Sequence, residues 1–131
     1  HVGPAGGAAL AAAGCLANVT ALRLYGHALD DGFAALCDGG GFPALVEFRA
    51  EGGAIGDAAA EALGRAMHFP RLAEMAWESS ALTPVGAAAI LASDHLPALH
   101  EVTFRGNPFT PEACLRLAAE AADRPALKLV L

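Results

Sequence analysis

Apolar and polar positions alternate through residues 99–109, LHEVTFRGNPF, with Leu99, Val102, Phe104 and Phe109 in the apolar places and Asn107 before the last of them. A short run of this kind reads as a half-buried strand leading into a turn. The same frame recurs along the whole chain, as in proteins built from repeats. Its first apolar place is held by Val19, Leu45, Leu72, Leu99 and Leu127, spaced 26, 27, 27 and 28 residues apart. The second is held by Leu22, Phe48, Met75, Val102 and Val130, and the third by Leu24, Ala50, Trp77 and Phe104. The last apolar place runs Val2, Leu29, Ile55, Leu82 and Phe109.

Helix starts follow each frame: Gly3-Pro4, Asp30-Asp31, Gly56-Asp57, Thr83-Pro84 and Thr110-Pro111. There a capping residue accepts an orphan N–H and Pro or Asp fills the first turn. Ala-rich segments of high helix propensity come next, with Leu10, Cys37, Leu63, Ile90 and Leu117 as their inward column. Phe42-Pro43, Phe69-Pro70 and Leu96-Pro97 then end the helices, because Pro cannot continue a helix and biases its predecessor to extended geometry. The repeating unit is therefore strand, turn, helix and return. Strands joined by helical crossovers run parallel, and units that cannot bury their apolar side alone must stack.

With this period and strand–helix order, the chain resembles the ribonuclease-inhibitor-like class of leucine-rich repeats over nearly its whole length. The resemblance implies an α/β fold, a right-handed leucine-rich-repeat solenoid with parallel strands on the concave face and helices on the convex face. The chain divides into a helical half-repeat at 1–18, repeats at 19–44, 45–71, 72–98 and 99–126, and a terminal strand at 127–131. Two departures stand out. The family's turn asparagine is present only as Asn107, with His27, Gly53 and Ser80 in the other places, and Ala50 stands beside Trp77 as packing compensation. With a strand lacking its helix at one end and no polar cap at the other, the expectation is a fragment of a longer array, or self-association through uncapped ends.

Composition narrows the partners. Only 6% of residues are aromatic, so a core of close backbone approach and small side chains is expected rather than aromatic plugs. The net charge of −6 argues against nucleic acid, whose phosphates need a basic face. Cys15, Cys37 and Cys114 are an odd number with no C-x-x-C pair, which reads as reduced thiols in a cytoplasmic protein. The first 22 residues carry no Asp, Glu, Lys or Arg, but Gly and Ala supply too little transfer free energy for a signal or membrane segment.

Function must then come from exposed strand positions. These form the columns Thr20, Val46, Ala73, His100; Ala21, Glu47, Glu74, Glu101; Arg23, Arg49, Ala76, Thr103; and the flank Tyr25, Glu51, Glu78, Arg105. Three glutamates stacked on strands ~4.8 Å apart repel by on the order of 1 kcal/mol per pair before screening. Either Arg23, Arg49 and Arg105 offset that cost, or a basic partner uses the column. Tyr and Arg are the residue types that anchor interfaces.

No other feature assembles a site. His68 and His95 stand a full repeat apart, a poor metal pair. His100 lacks the second His of a zinc-protease helix, and Asp38–Pro43 ends a helix instead of opening a phosphate loop. Cys37 and Cys114 fall in phase with core positions. Asn18 fits a glycosylation pattern that a cytoplasmic setting leaves idle. Glu61/Arg65, Glu112/Arg116 and Arg116/Glu120 have the spacing of pairs along a helix. The expected function is a non-catalytic protein-interaction module with no cofactor and no membrane partner. The alternative is a regulatory repeat domain of a larger enzyme or regulator, of GTPase-activating or ubiquitin-ligase type.

Overall fold

A computed structural model describes residues 4–12, 16–25, 30–38, 42–52, 55–66 and 69–131. Its elements alternate: α1 (Pro4–Ala12), β1 (Ala21–Tyr25), α2 (Asp30–Asp38), β2 (Glu47–Glu51), α3 (Asp57–Arg65), β3 (Glu74–Glu78), α4 (Pro84–Leu91), β4 (Glu101–Thr103), α5 (Pro111–Ala121) and β5 (Lys128–Val130). The strands form one five-stranded parallel sheet in chain order, β1-β2-β3-β4-β5. One helix lies in each crossover, and consecutive helices pack side by side. The helices begin where the punctuation places them. Thr83 and Thr110 cap α4 and α5, their side chains accepting from Val85 N and Ala113 N, and Pro opens both first turns.

The strand columns fall in register. Leu22, Phe48, Met75 and Val102 sit on successive strands, and Leu24, Ala50 and Trp77 sit beside each other. Trp77 is fully buried next to Ala50, so the small residue does make room for the indole. The helix column Cys37, Leu63, Ile90 and Leu117 is buried against the sheet residues. Burial pushes the Cys37 thiol well above its ordinary range. Leu10, Val2, Leu29, His27, Gly53, His68 and Cys15 lie outside the described residues or side chains.

Four expectations need correction. Val130 does not join the second column, because β5 pairs Leu129 with Val102 and Lys128 with Glu101. The spacing shortens by one in this repeat: the inward residues lie three apart at Leu99 and Val102 but two apart at Leu127 and Leu129, which puts Val130 opposite Thr103 in the outward column. The core does use aromatic plugs. Phe33 stacks on Phe48 at 5.0 Å, Phe48 meets Trp77 at 5.3 Å, and Phe42 meets Phe69 at 5.8 Å. Aromatics are few, but nearly all fall on inward positions. Cys114 is half-buried, unlike Ala87 and Ala60 one and two repeats earlier, because α5 has a described helix on one side only. Arg65 reaches Asp38 on α2 at 3.0 Å instead of Glu61 on its own helix.

The turns after the strands repeat as well. Gly52, Ser79 and Gly106 all have positive φ, at 77°, 48° and 78°. At Gly106 an added Cβ would also strike Ser79 Oγ, 2.5 Å away, so a side chain there would be strained and would have to displace that hydroxyl. Just beyond, Asn107 Nδ2 donates to Trp77 O at 2.6 Å and Phe104 O at 2.9 Å. Ser80 Oγ donates to Ala50 O at 3.3 Å, one strand back. Ser80 thus makes the same link to the preceding strand that Asn107 makes.

Candidate functional site

On the face of the sheet opposite the helices, strand side chains alternate outward and carry charge. Ala21, Glu47, Glu74, Glu101 and Lys128 form one column across all five strands. Arg23, Arg49, Ala76 and Thr103 form the next, followed by Tyr25, Glu51 and Glu78. Arg105 lies past β4, where its carbonyl accepts from Ser79 N at 3.0 Å, and it is exposed. Tyr25 is 62% exposed, at the edge of the sheet that β1 forms. Every expected site residue except His100 and Arg105 therefore belongs to these columns; Arg105 follows β4 and His100 stands exposed just before it.

The glutamate column is offset from its flanks. Glu47 Oε1 accepts from Arg49 Nε at 2.8 Å and from Arg23 Nη2 at 3.5 Å. His100 Nε2 lies 3.9 Å from Glu74, and Lys128 Nζ lies 3.8 Å from Glu101. Glu47 and Glu101 thus each have a cationic neighbour, while His100 compensates Glu74 only when its imidazole is protonated. Among the described residues Arg105 makes no ion pair, so it does not share in that compensation. Lys128 was missed in the sequence because aligning Val130 with Val102 moves it out of the column. Aligning on Leu129 would have found it.

Between the charged columns the sheet is low. Ala76 is the one alanine between long side chains in the middle of the face, and it is only 8% exposed. A depression of about 50 Å³ opens over it, bounded by Glu47, Arg49, Glu74, Glu78 and Glu101. Four carboxylates and one guanidinium around an alanine floor favour an incoming cationic side chain.

The hydrogen bond from Arg49 is the main influence holding the Glu47 carboxyl below its ordinary range, and the same bond holds the Arg49 guanidinium above its own. A carboxylate with a lowered folded-state pKa adds stability above the ordinary glutamate range, which is lost as pH falls through the lowered value. Carboxyl NMR titration should show the Glu47 midpoint rising toward the ordinary value in Arg49→Ala. An unchanged midpoint would mean that the pair does not persist in solution.

Among the described residues no group of three or more His, Cys, Asp or Glu is placed to hold a metal ion. No described helix is long and apolar enough to cross a membrane. In comparisons with known proteins, no family model matches this chain and no curated protein is significantly similar to it.

Proposed function

We propose that this chain is a leucine-rich-repeat solenoid segment of the ribonuclease-inhibitor-like class, and that it serves as a non-catalytic protein-interaction module. Parallel strands in chain order with one helix per crossover support the repeat reading, as does the recurring link of Ser80 and Asn107 to the preceding strand. In this reading the strands line the concave face and the helices the convex face. A cytoplasmic setting fits the free thiols of Cys37 and Cys114.

The observation that carries the function is the registered column Glu47, Glu74 and Glu101 beside Arg23, Arg49 and Tyr25. Tyr25 and the arginines supply affinity, since such side chains anchor interfaces. The glutamates set specificity and association rate through their field, and the depression over Ala76 takes a basic side chain of the partner.

The test uses a partner recovered with the wild-type chain. Glu74→Lys with Glu101→Lys should weaken that binding in a salt-dependent way while changing stability by no more than about 1 kcal/mol. Binding that survives both reversals but fails on changing Glu61, Arg65 or Glu112 would move the working surface to the helices and overturn this assignment.

A further inference from the structure

Strands β2, β3 and β4 are each entered through the same bend. Thr20 O accepts from both Val46 N and Glu47 N, Val46 O from Ala73 N and Glu74 N, and Ala73 O from His100 N and Glu101 N. The bend sets one residue just ahead of each outward glutamate: Val46 before Glu47, Ala73 before Glu74 and His100 before Glu101. Of these three, only His100 can change its charge. Its neighbour across the bend, Ala73, carries no more than a methyl group. The imidazole reaches the preceding strand, where Nε2 lies 3.9 Å from Glu74 Oε1, and both side chains are about half exposed.

The charged groups around the imidazole are Glu74 on β3, Glu101 on β4 and Lys128 on β5. Lys128 N donates to His100 O at 2.8 Å, and Lys128 Nζ lies 3.8 Å from Glu101. Among the described residues Glu74 has no ion-pair partner besides His100. Glu74 also walls the depression over Ala76. The other ionisable side chains that the strands carry on this face are glutamates, arginines, Tyr25 and Lys128. Carboxylates ordinarily titrate near pH ~4, phenol, ammonium and guanidinium groups at about 10 or above, and imidazole between about 5 and 8. Between about pH 7.5 and 5.5, then, the charge that enters the described part of this face enters at His100.

We propose that His100 is a pH-sensitive switch on the docking face: its protonated form engages Glu74 and repels a partner's basic side chain, so docking over Ala76 weakens as the solution turns mildly acidic. The proposal rests on the reading of the sheet as a docking face and adds its regulation. A neutral imidazole leaves the Glu74 carboxylate to pair with the incoming cation. An imidazolium puts a resident charge there, which the incoming cation must displace or tolerate. Because the pair is half exposed, water screens it, and the change in affinity is about two- to fivefold.

Two NMR measurements on the full chain, at constant ionic strength, test this. The Glu74 Cδ signal should show a step between about pH 7.5 and 5.5 that shares its midpoint with the His100 ring, and the step should vanish in His100→Gln. Acetyl-Ala-Arg-Ala-amide keeps a constant charge over that range. It should shift the Ala76 methyl saturably at the higher pH and bind about two- to fivefold more weakly at the lower. His100→Gln, an uncharged replacement at an exposed position, should bind the peptide equally at both. A missing Glu74 step, equal wild-type affinity at the two pH values, or a pH dependence retained in His100→Gln would overturn the switch. If the step is present but the Ala76 methyl gives no saturable shift at either pH, the docking reading of the sheet fails, and its regulation with it.

Discussion

Trp77→Ala is expected to lower the free energy of unfolding by about 3–5 kcal/mol, as truncation of a buried aromatic does. The indole has no exposed surface, lies 5.3 Å from the Phe48 ring and sits opposite Ala50, which is too small to close over the gap. Against a total stability of roughly 5–15 kcal/mol for a domain, that loss is large. Trp77→Phe should be much milder. The indole Nε1 is buried and has no hydrogen-bond partner among the described residues, so phenylalanine loses ring area but also removes that buried donor. Urea denaturation of both variants checks the pair. A near-neutral Trp77→Ala would show that the indole is not packed between the sheet and the helices.

Gly64→Ala carries the second large effect, and with a sign opposite to the usual one. Inside a helix, alanine is normally favoured over glycine by roughly 1 kcal/mol. Here the new Cβ would lie 2.8 Å from Ala89 O and 3.3 Å from Ala89 C. Those are backbone atoms of α4 and cannot rotate away, so α3 and α4 must separate. Overpacking of this kind costs about 1–3 kcal/mol, and a net destabilisation is expected in chemical denaturation. A stabilised Gly64→Ala would mean that the two helices do not approach as closely as described.

The regular part of this molecule was legible because spacing alone encodes it. Apolar residues recurring at one period placed Leu22, Phe48, Met75 and Val102 on one column, and the same frame put Glu47, Glu74 and Glu101 in a line. Misreading began where the pattern offered two registers. In Leu127–Leu131 apolar residues are dense enough that both Leu129 and Val130 could follow Val102; the spacing of the earlier repeats favours Val130, and only the strand pairing selects Leu129. The role of Ser80 was hidden for a different reason. A hydroxyl does not resemble an amide in sequence, yet from this turn either reaches the preceding strand's carbonyl. Arg65 shows the limit of reading one helix at a time, since its partner Asp38 comes from the neighbouring one.

Because the strands pair strictly with their neighbours in sequence, no sheet contact closes a loop longer than about one repeat, which is unusual for an all-parallel sheet. Loop-closure entropy is therefore met in small, nearly equal steps, and the slow folding that non-local pairing imposes on parallel sheets is relieved. Cooperativity weakens in the same measure. With only neighbour-to-neighbour coupling, amide protons in β3, between Phe48 and Val102, should exchange most slowly, and protection should fall toward β1 on one side and β5 on the other. The chain would then come apart from its ends inward, with the strand that holds Trp77 the last to open.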